Sequence, residues 1–321
     1  MSSRARIGRL AAVAAGLLAI GVVIGVLYDT LRSPPSGSMA LPAIEPATAG
    51  FPTPPTGAVV FAREAGANVL ALGVVPRRNS LQLQASVLDG DEHGVSGLRV
   101  AFSAGGVRRV GTACGAGCYR ATVSPSRSPD AVSLVVVGRG TSTSWRVALP
   151  AVWPPPNGTA IMARAGRVWR SLRSLAYVER LAADSTNRQT SDWRVAAPDR
   201  AAYSIRGHGG GIVIGGRRWD RSTPEGRWVG SSQSGPITEP VPFWVGVSNA
   251  HVLGTVSVAG RPAWVVSFFD PRTPAWFEAT VEKRTGHTLE LRMFTAAHFM
   301  HDVYRLFDRA PPIVPPAARQ Q

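Results

Sequence analysis

A mainly β fold is predicted for this chain: an N-terminal transmembrane helix, a β-sandwich, then a curved antiparallel sheet wrapped around one helix. Three observations predict it. Residues 10–28, LAAVAAGLLAIGVVIGVLY, carry no charge and come after Arg4, Arg6 and Arg9. Residues 58–150 break into short runs that alternate apolar and polar, with turn residues between them. Residues 159–174 hold one amphipathic helical pattern, and most of the chain beyond 174 reads as long strands.

The N-terminal run comes first. About 19 residues at 1.5 Å rise each cross a bilayer core of about 30 Å. The three arginines hold the N-terminus in the cytoplasm, which places the rest of the chain outside the cell membrane. Residues 1–31 are therefore a cytoplasmic stub and an uncleaved single-pass anchor. A cleaved signal peptide is the rival reading. Its apolar core would be shorter and a small-x-small site would come after it, whereas here Tyr28, Asp29, Thr30, Leu31 and Arg32 stand in that place. The chain of 321 residues has a net charge of +15 and is 45% hydrophobic, enough for two cores. Lys283 is its only lysine. Basic charge favours anionic partners, and arginine suits phosphates and carboxylates. An extracytoplasmic body sets nucleic acid aside.

Residues 32–57 are rich in Pro, Ser and Ala and read as a tether without a core. The β-sandwich then spans 58–150. In SLQLQASVLD, Leu81, Leu83, Ala85 and Val87 share one face. In GLRVAFSA, Leu98, Val100 and Phe102 do. The turn Asp89-Gly90-Asp91-Glu92-His93 gathers acidic oxygens that suit calcium, but its spacing is not that of an EF-hand loop, and a plain polar turn is preferred. Cys114 and Cys118 are the only cysteines. Outside the cytoplasm such a pair oxidises, and Gly115, Ala116 and Gly117 can bend between them. A disulfide is expected. Free thiols and a two-thiolate copper site remain open, and zinc lacks its usual four ligands. The stretch VLDGDEHGVSGLRVAF and the CGAGCY hairpin resemble bacterial immunoglobulin-like modules of the YtkA-like and FixH-like kind.

PAVWPPPNGT, residues 150–159, is a second linker, and a different pattern fills 157–316. Ile161, Ala165, Val168, Trp169 and Leu172 recur at helical spacing, with Asn157 or Thr159 as cap. Long strands come next, interrupted at PVPFWVGV, a candidate lid. One helix leading into a long antiparallel meander resembles the lipoprotein-carrier superfamily of LolA-like proteins, in which a curved half-barrel wraps a helix. WRVAAPDRAAY (193–203), IGGRRWDR and VVSFFDPRTPAWFEATVEKRTG carry that resemblance. The order of the two modules also resembles the extracytoplasmic tail of some actinobacterial copper-resistance D-type membrane proteins, without their multi-helix membrane domain.

No catalytic constellation is found. The glycine-rich GHGGGIVIGG leads into neither a helix nor a Lys-Ser/Thr pair and reads as a hairpin. Gly-x-Ser-x-Gly and HExxH are absent from the sequence. A non-enzymatic protein without a cofactor is expected. The resemblance implies a lipid or lipoprotein ligand, and the aromatic load of Trp169, Trp193, Trp219, Trp264, Phe268 and Trp276 fits a hydrophobic pocket with an apolar gap beside the helix, although a closed core would use the same residues. Val265 is the mid-strand position chosen to probe that gap. The alternative is a copper-handling envelope accessory using His298, Met300 and His301 in HFMHD, since imidazole and thioether suit copper. On a strand, His298, Met300, Asp302 and Tyr304 share one face. A third reading is an envelope sensor that binds only protein partners.

Overall fold

The computed structural model describes residues 51–317, apart from 92, 127, 128, 139, 185, 236 and 297. The apolar run 10–28 and the tether before residue 51 lie outside the described residues. Among the described residues, no helix is long and apolar enough to cross a membrane.

The N-terminal half carries β1 (Val59–Ala65), β2 (Asn68–Arg77), β3 (Ser80–Leu88), β4 (Arg99–Ala104), β5 (Val107–Val110), β6 (Thr112–Gly115), β7 (Cys118–Val123), β8 (Ala131–Gly138) and β9 (Thr141–Ala148). They form a five-stranded sheet, β1-β2-β3-β7-β6, and a four-stranded sheet, β5-β4-β8-β9. Leu72, Leu83, Phe102, Val132 and Leu134 meet between the sheets in one core. This is the expected sandwich. Tyr119 ties it at one end, donating to the Val95 carbonyl at 2.7 Å and accepting the Leu98 N–H at 3.0 Å.

The C-terminal half holds α1 (Thr159–Ser171) and then β10 (Ser174–Ala182), β11 (Arg188–Ala196), β12 (Arg200–Ile205), β13 (Gly210–Ile214), β14 (Arg217–Arg221) and β15 (Val229–Ser232). Beyond these come β16 (Ser248–Val258), β17 (Arg261–Asp270), β18 (Ala275–Glu282), β19 (Thr288–Thr295) and β20 (His298–Arg305). All join one 11-stranded open antiparallel sheet, β15-β14-β13-β12-β11-β10-β20-β19-β18-β17-β16. A flat sheet of that size would be about 50 Å wide, whereas α1 is about 20 Å long. One core nevertheless contains Met162, Ala165 and Trp169 of α1 together with Ala201 of β12 and Val266 of β17. The sheet therefore curls around the helix. The N-cap is Gly158 and no side chain caps the helix, neither Asn157 nor Thr159; Asn157, just before the cap, accepts the Thr159 N–H at 2.8 Å. Gly158 is obligatory there, because a Cβ would lie 2.7 Å from Val266 Cγ1.

The strands β15 and β16 are consecutive in sequence but form the two opposite edges of the sheet. Residues 233–247 must therefore cross the mouth of the curve to join them. This strap carries Ile237, Phe243, Trp244 and Val247 onto the inner face, where they pack against the core. It contains the segment expected to act as a lid.

The sandwich and the curled sheet also share a core. The strand β2 is buried on both faces. Leu70, Leu72 and Val74 face the sandwich interior, while Val69, Ala71 and Val75 pack with Phe269, Trp276, Ala296 and Phe299 on the outer face of the curled sheet. Phe51 inserts there, with its ring 5.6 Å from Trp276 and 6.2 Å from Phe269. Pro52 and Thr53 carbonyls accept from Ser86 at 3.0 Å and Gln84 at 2.7 Å. Residues 51–57, expected to be tether, are thus packed. Asn249 completes the seam, accepting the Gly57 N–H at 3.0 Å and donating to the Pro55 carbonyl at 3.1 Å.

Candidate functional site

The inner face of the curled sheet presents two neighbouring rows of side chains. The first is aromatic. Tyr304 of β20, Tyr177 of β10, Trp193 of β11 and Tyr203 of β12 are successive cross-strand partners. Tyr177 stacks parallel on Trp193 at 5.8 Å, and Trp193 lies 4.7 Å from Tyr203. The next position along the row is Gly211 of β13. A Cβ there would lie 2.5 Å from the Tyr203 ring, so the glycine makes room for the tyrosine to lie flat. The glycine-rich stretch read as a hairpin is in part a seat for this ring. Arg218 of β14 holds the Tyr203 hydroxyl at 3.2 Å and is itself gripped by both Asp220 oxygens at 2.6 and 2.8 Å.

The second row is acidic. Asp302 of β20 stands opposite Glu179 of β10, and Glu179 stands opposite Ser191 of β11. Asp302 is fully buried. Its Oδ2 accepts from the Tyr304 hydroxyl at 2.6 Å, while its Oδ1 has no hydrogen-bond partner. Glu179 accepts the Trp193 indole N–H at 3.0 Å. Burial pushes the Glu179 carboxyl up to about 7, against the pull of that indole. Burial first, and then the charge of Glu179, raises Asp302 well above the usual carboxylate range. Tyr177 and Tyr304 are raised too, mainly by burial and then by these acids. Two carboxyls this close in a poorly solvated setting cannot both ionise freely.

The inner face is covered unevenly. Over β16–β20, Trp169 of α1 meets Tyr304 edge-on at 4.7 Å and Trp244 of the strap at 5.6 Å, and Trp244 meets Phe268 at 6.0 Å. Asp270 fixes this end of the strap by accepting the N–H groups of Val245 at 2.6 Å and Gly246 at 3.0 Å. Burial raises the Asp270 carboxyl, although backbone donors oppose the shift. Over β10–β13 the cover thins. Phe243 reaches Tyr177 edge-on at 6.2 Å, yet Glu179, Trp193, Tyr203, Glu239 and Phe243 all keep partial exposure.

Of the residues expected to line a pocket, Trp169, Trp193, Trp264 and Phe268 share this inner core. Trp219 and Trp276 do not. Trp219 is a cross-strand partner of Ile212, one position out of phase with Gly211, and lies on the outer face under the Arg217 guanidinium at 5.1 Å. Trp276 is buried on the outer face against the sandwich. Val265 likewise alternates outward and is half-buried, while Val266 is fully buried inside. The expected gap beside α1 is filled by Trp169, Trp244, Phe268 and Met162. The two clefts that stand out among the described residues lie on the sandwich. They hold about 90 Å³, lined by Leu70, Val87 and Val136, and about 170 Å³, lined by Arg99, Ala101 and Val135. Both fall below the roughly 300 Å³ of a usual ligand cavity.

The metal-ligand candidates separate as well. Met300 faces inward beside its partner Met293, and His298 alternates to the same side. Burial holds the His298 imidazole down at about 4. His301 alternates to the other face, 3.6 Å from Glu290. The three therefore do not converge on one point. Cys114 and Cys118 are bonded to each other, with Cα atoms 5.0 Å apart, which takes up both thiols. Asp89 Oδ1 accepts the N–H groups of Asp91 and His93, both at 3.0 Å, in the manner of an exposed polar turn.

Neither a protein-family model nor a curated protein matches the chain. Solved structures do. The lipoprotein LppX of Mycobacterium tuberculosis is 13% identical with a TM-score of 0.38, over 48% of this chain and 97% of that one. LprF of Mycobacterium bovis is 13% identical with a TM-score of 0.38, over 51% of this chain and 100% of that one. A LolA superfamily protein of Nitrosomonas europaea is 10% identical with a TM-score of 0.22, over 49% of this chain and 96% of that one.

Proposed function

We propose that this chain is a membrane-anchored, extracytoplasmic, non-enzymatic binding protein that takes an apolar ligand, a lipid or lipoprotein acyl chain, on the inner face of its curled sheet. In this reading the sandwich and the half-barrel are two modules locked together by the Phe51–Trp276 seam. One observation carries the ligand assignment: Trp193 and Tyr203, which continue the aromatic row from the buried Tyr177, keep partial exposure beside the strap. A soluble protein seldom leaves a contiguous aromatic floor beside its core unless something covers it. Glycine at 211 keeps the floor flat at the expense of strand packing. The strap borders this floor through Phe243 and is tied to the sheet by Asp270 at one end and by the Glu239 N–H on the Pro198 carbonyl at 3.0 Å.

The test uses 8-bromooctan-1-ol, whose bromine quenches tryptophan on contact. The full chain should show saturable quenching, and Tyr203→Arg, a partly exposed position, should abolish saturation while the fold survives. Linear, unsaturable quenching of the parent chain would sink the proposal.

A further inference from the structure

We infer that the ligand carries a cationic head, a protonated amine, and that Glu179 and Asp302 receive it within the box formed by Tyr177, Trp193 and Tyr304. This rests on the apolar-ligand reading and adds the chemistry of the head to it.

The distribution of charge is the first sign. The chain is strongly basic at +15. Yet the charged groups acting on Tyr177, Glu179, Asp302 and Tyr304 are all acidic: Glu179, Asp302 and, from the strap, Glu239. Two acids opposed across adjacent strands are repulsive and are ordinarily avoided. Among the described residues no arginine forms an ion pair with Glu179 or Asp302, in a sheet otherwise full of arginine. A buried carboxyl oxygen without a donor is costly. Asp302 Oδ1 is such an oxygen, and the register puts the Asp302 side chain on the inner face opposite Glu179. Trp169 adds a further ring, edge-on to Tyr304 at 4.7 Å. Aromatic faces attract ammonium groups, most strongly where water is excluded. Two acids, one free acceptor and a wall of rings make a cation receptor.

The neighbouring row is the apolar surface against which the tail would repack. Leu181, Met300, Met293 and Phe277 are successive cross-strand partners beside Glu179, Asp302 and Leu291. Methionines repack easily around an alkyl chain. The partial exposure of Glu179, Trp193 and Phe243 gives the head its way in. Without ligand, burial favours the protonated form of these carboxyls, and a bound ammonium replaces a proton. The groups facing the pair are Tyr177, Ser191 and Trp193 from β10 and β11, Tyr304 from β20, and Glu239 from the strap.

The experiment compares three probes of equal length on the full chain: 8-bromooctylammonium, 8-bromooctan-1-ol and 8-bromooctanoate. Half-saturating quenching should occur at roughly tenfold lower concentration for the ammonium than for the alcohol, with the carboxylate weakest. Equal potency of ammonium and alcohol would overturn the cationic head and leave the apolar reading standing. Absence of saturable quenching by all three would overturn both. In the Glu179→Gln, Asp302→Asn double variant the ammonium should lose its advantage over the alcohol; retention of that advantage counts against the proposal. A second measurement needs no variant. Calorimetry of ammonium binding at pH 6 in buffers of different ionisation heat should report close to one proton released. Release of none would overturn the assignment.

Discussion

Glu179 and Asp302 stand directly opposite each other on the central strand pair of the curled sheet, β10 and β20. That one register position places two acids where a sheet of this kind ordinarily puts a hydrophobic pair. It arises because the meander returns its last strand to its first, and it makes the fold's stability a function of pH.

The sign for Glu179 is set by its raised pKa. The fold favours the protonated acid, so its contribution is fully present below about 4.5 and is lost as pH rises through about 7. The upper bound is about 3 kcal/mol, and partial exposure of the side chain reduces it. Glu179→Gln should therefore gain stability on the parent chain between pH 5 and pH 8. Denaturant titrations at the two pH values measure this. A constant difference between the two proteins would refute it.

His298 acts with the opposite sign. Its imidazole is held down at about 4, so the fold favours the neutral ring. That stability is present above about 6.5 and is lost as pH falls towards 4. Between those limits the two residues offset each other. His298→Asn should unmask the decline with rising pH that Glu179 causes, giving a steeper loss between pH 4.5 and 6.5 than the parent shows. A shallower profile would contradict the assignment.

Much of this architecture was legible because strand alternation is a local property. The inward face of β20 can be read from His298, Met300, Asp302 and Tyr304 alone, and the slip after Arg305 marks where the strand stops and Leu306 turns to positive φ. The acid pair was not legible. In AYVERLA, Glu179 alternates in phase with Tyr177 and Leu181, which marks a carboxylate on an apolar face, but nothing local says that Asp302 will be its partner. The misplaced tryptophans have a related cause. Trp219 and Trp276 are as apolar as Trp169, and only the register and the seam with the sandwich decide that they face outward. Phe51 lay hidden in a proline-rich composition, because one ring among prolines gives no periodic signal.

The seam predicts cooperative unfolding. Trp276 is nearly fully buried between the two β units, and its removal leaves Phe51 and Phe269 without their shared partner. Trp276→Ala should destabilise by about 3–5 kcal/mol. It should also split a single denaturant transition into two, one for each unit. Circular dichroism and tryptophan fluorescence would show non-coincident curves. Coincident curves in the variant would mean that the two units are not coupled through this residue.

The disulfide should matter little to folding. Cys114 and Cys118 close a loop far shorter than the 15-residue loop for which about 3 kcal/mol is expected. Replacing both by serine should cost less than that and leave the curled sheet's ligand response unchanged. Peptide mapping without reductant checks the link, and full alkylation without reductant would disprove it.

The phase of β17 offers the sharpest check on which face of the sheet is the inner one. Val265 and Val266 are adjacent, yet Val266 is fully buried among Phe268, Ala279 and the residues of α1, while Val265 alternates outward and is only half-buried. A charge at 266 has no partner among those apolar side chains and no room, so Val266→Arg should cost several kcal/mol and unfold the curled sheet. An arginine at 265 can extend along the outer face to water, so its cost should stay within about 1 kcal/mol. Urea midpoints of the two variants decide the matter. Equal loss at both positions would mean that the outer face is as closed as the inner one. Loss at 265 alone would reverse the phase of the strand and move the aromatic floor, the acid pair and the proposed head site to the opposite side of the sheet.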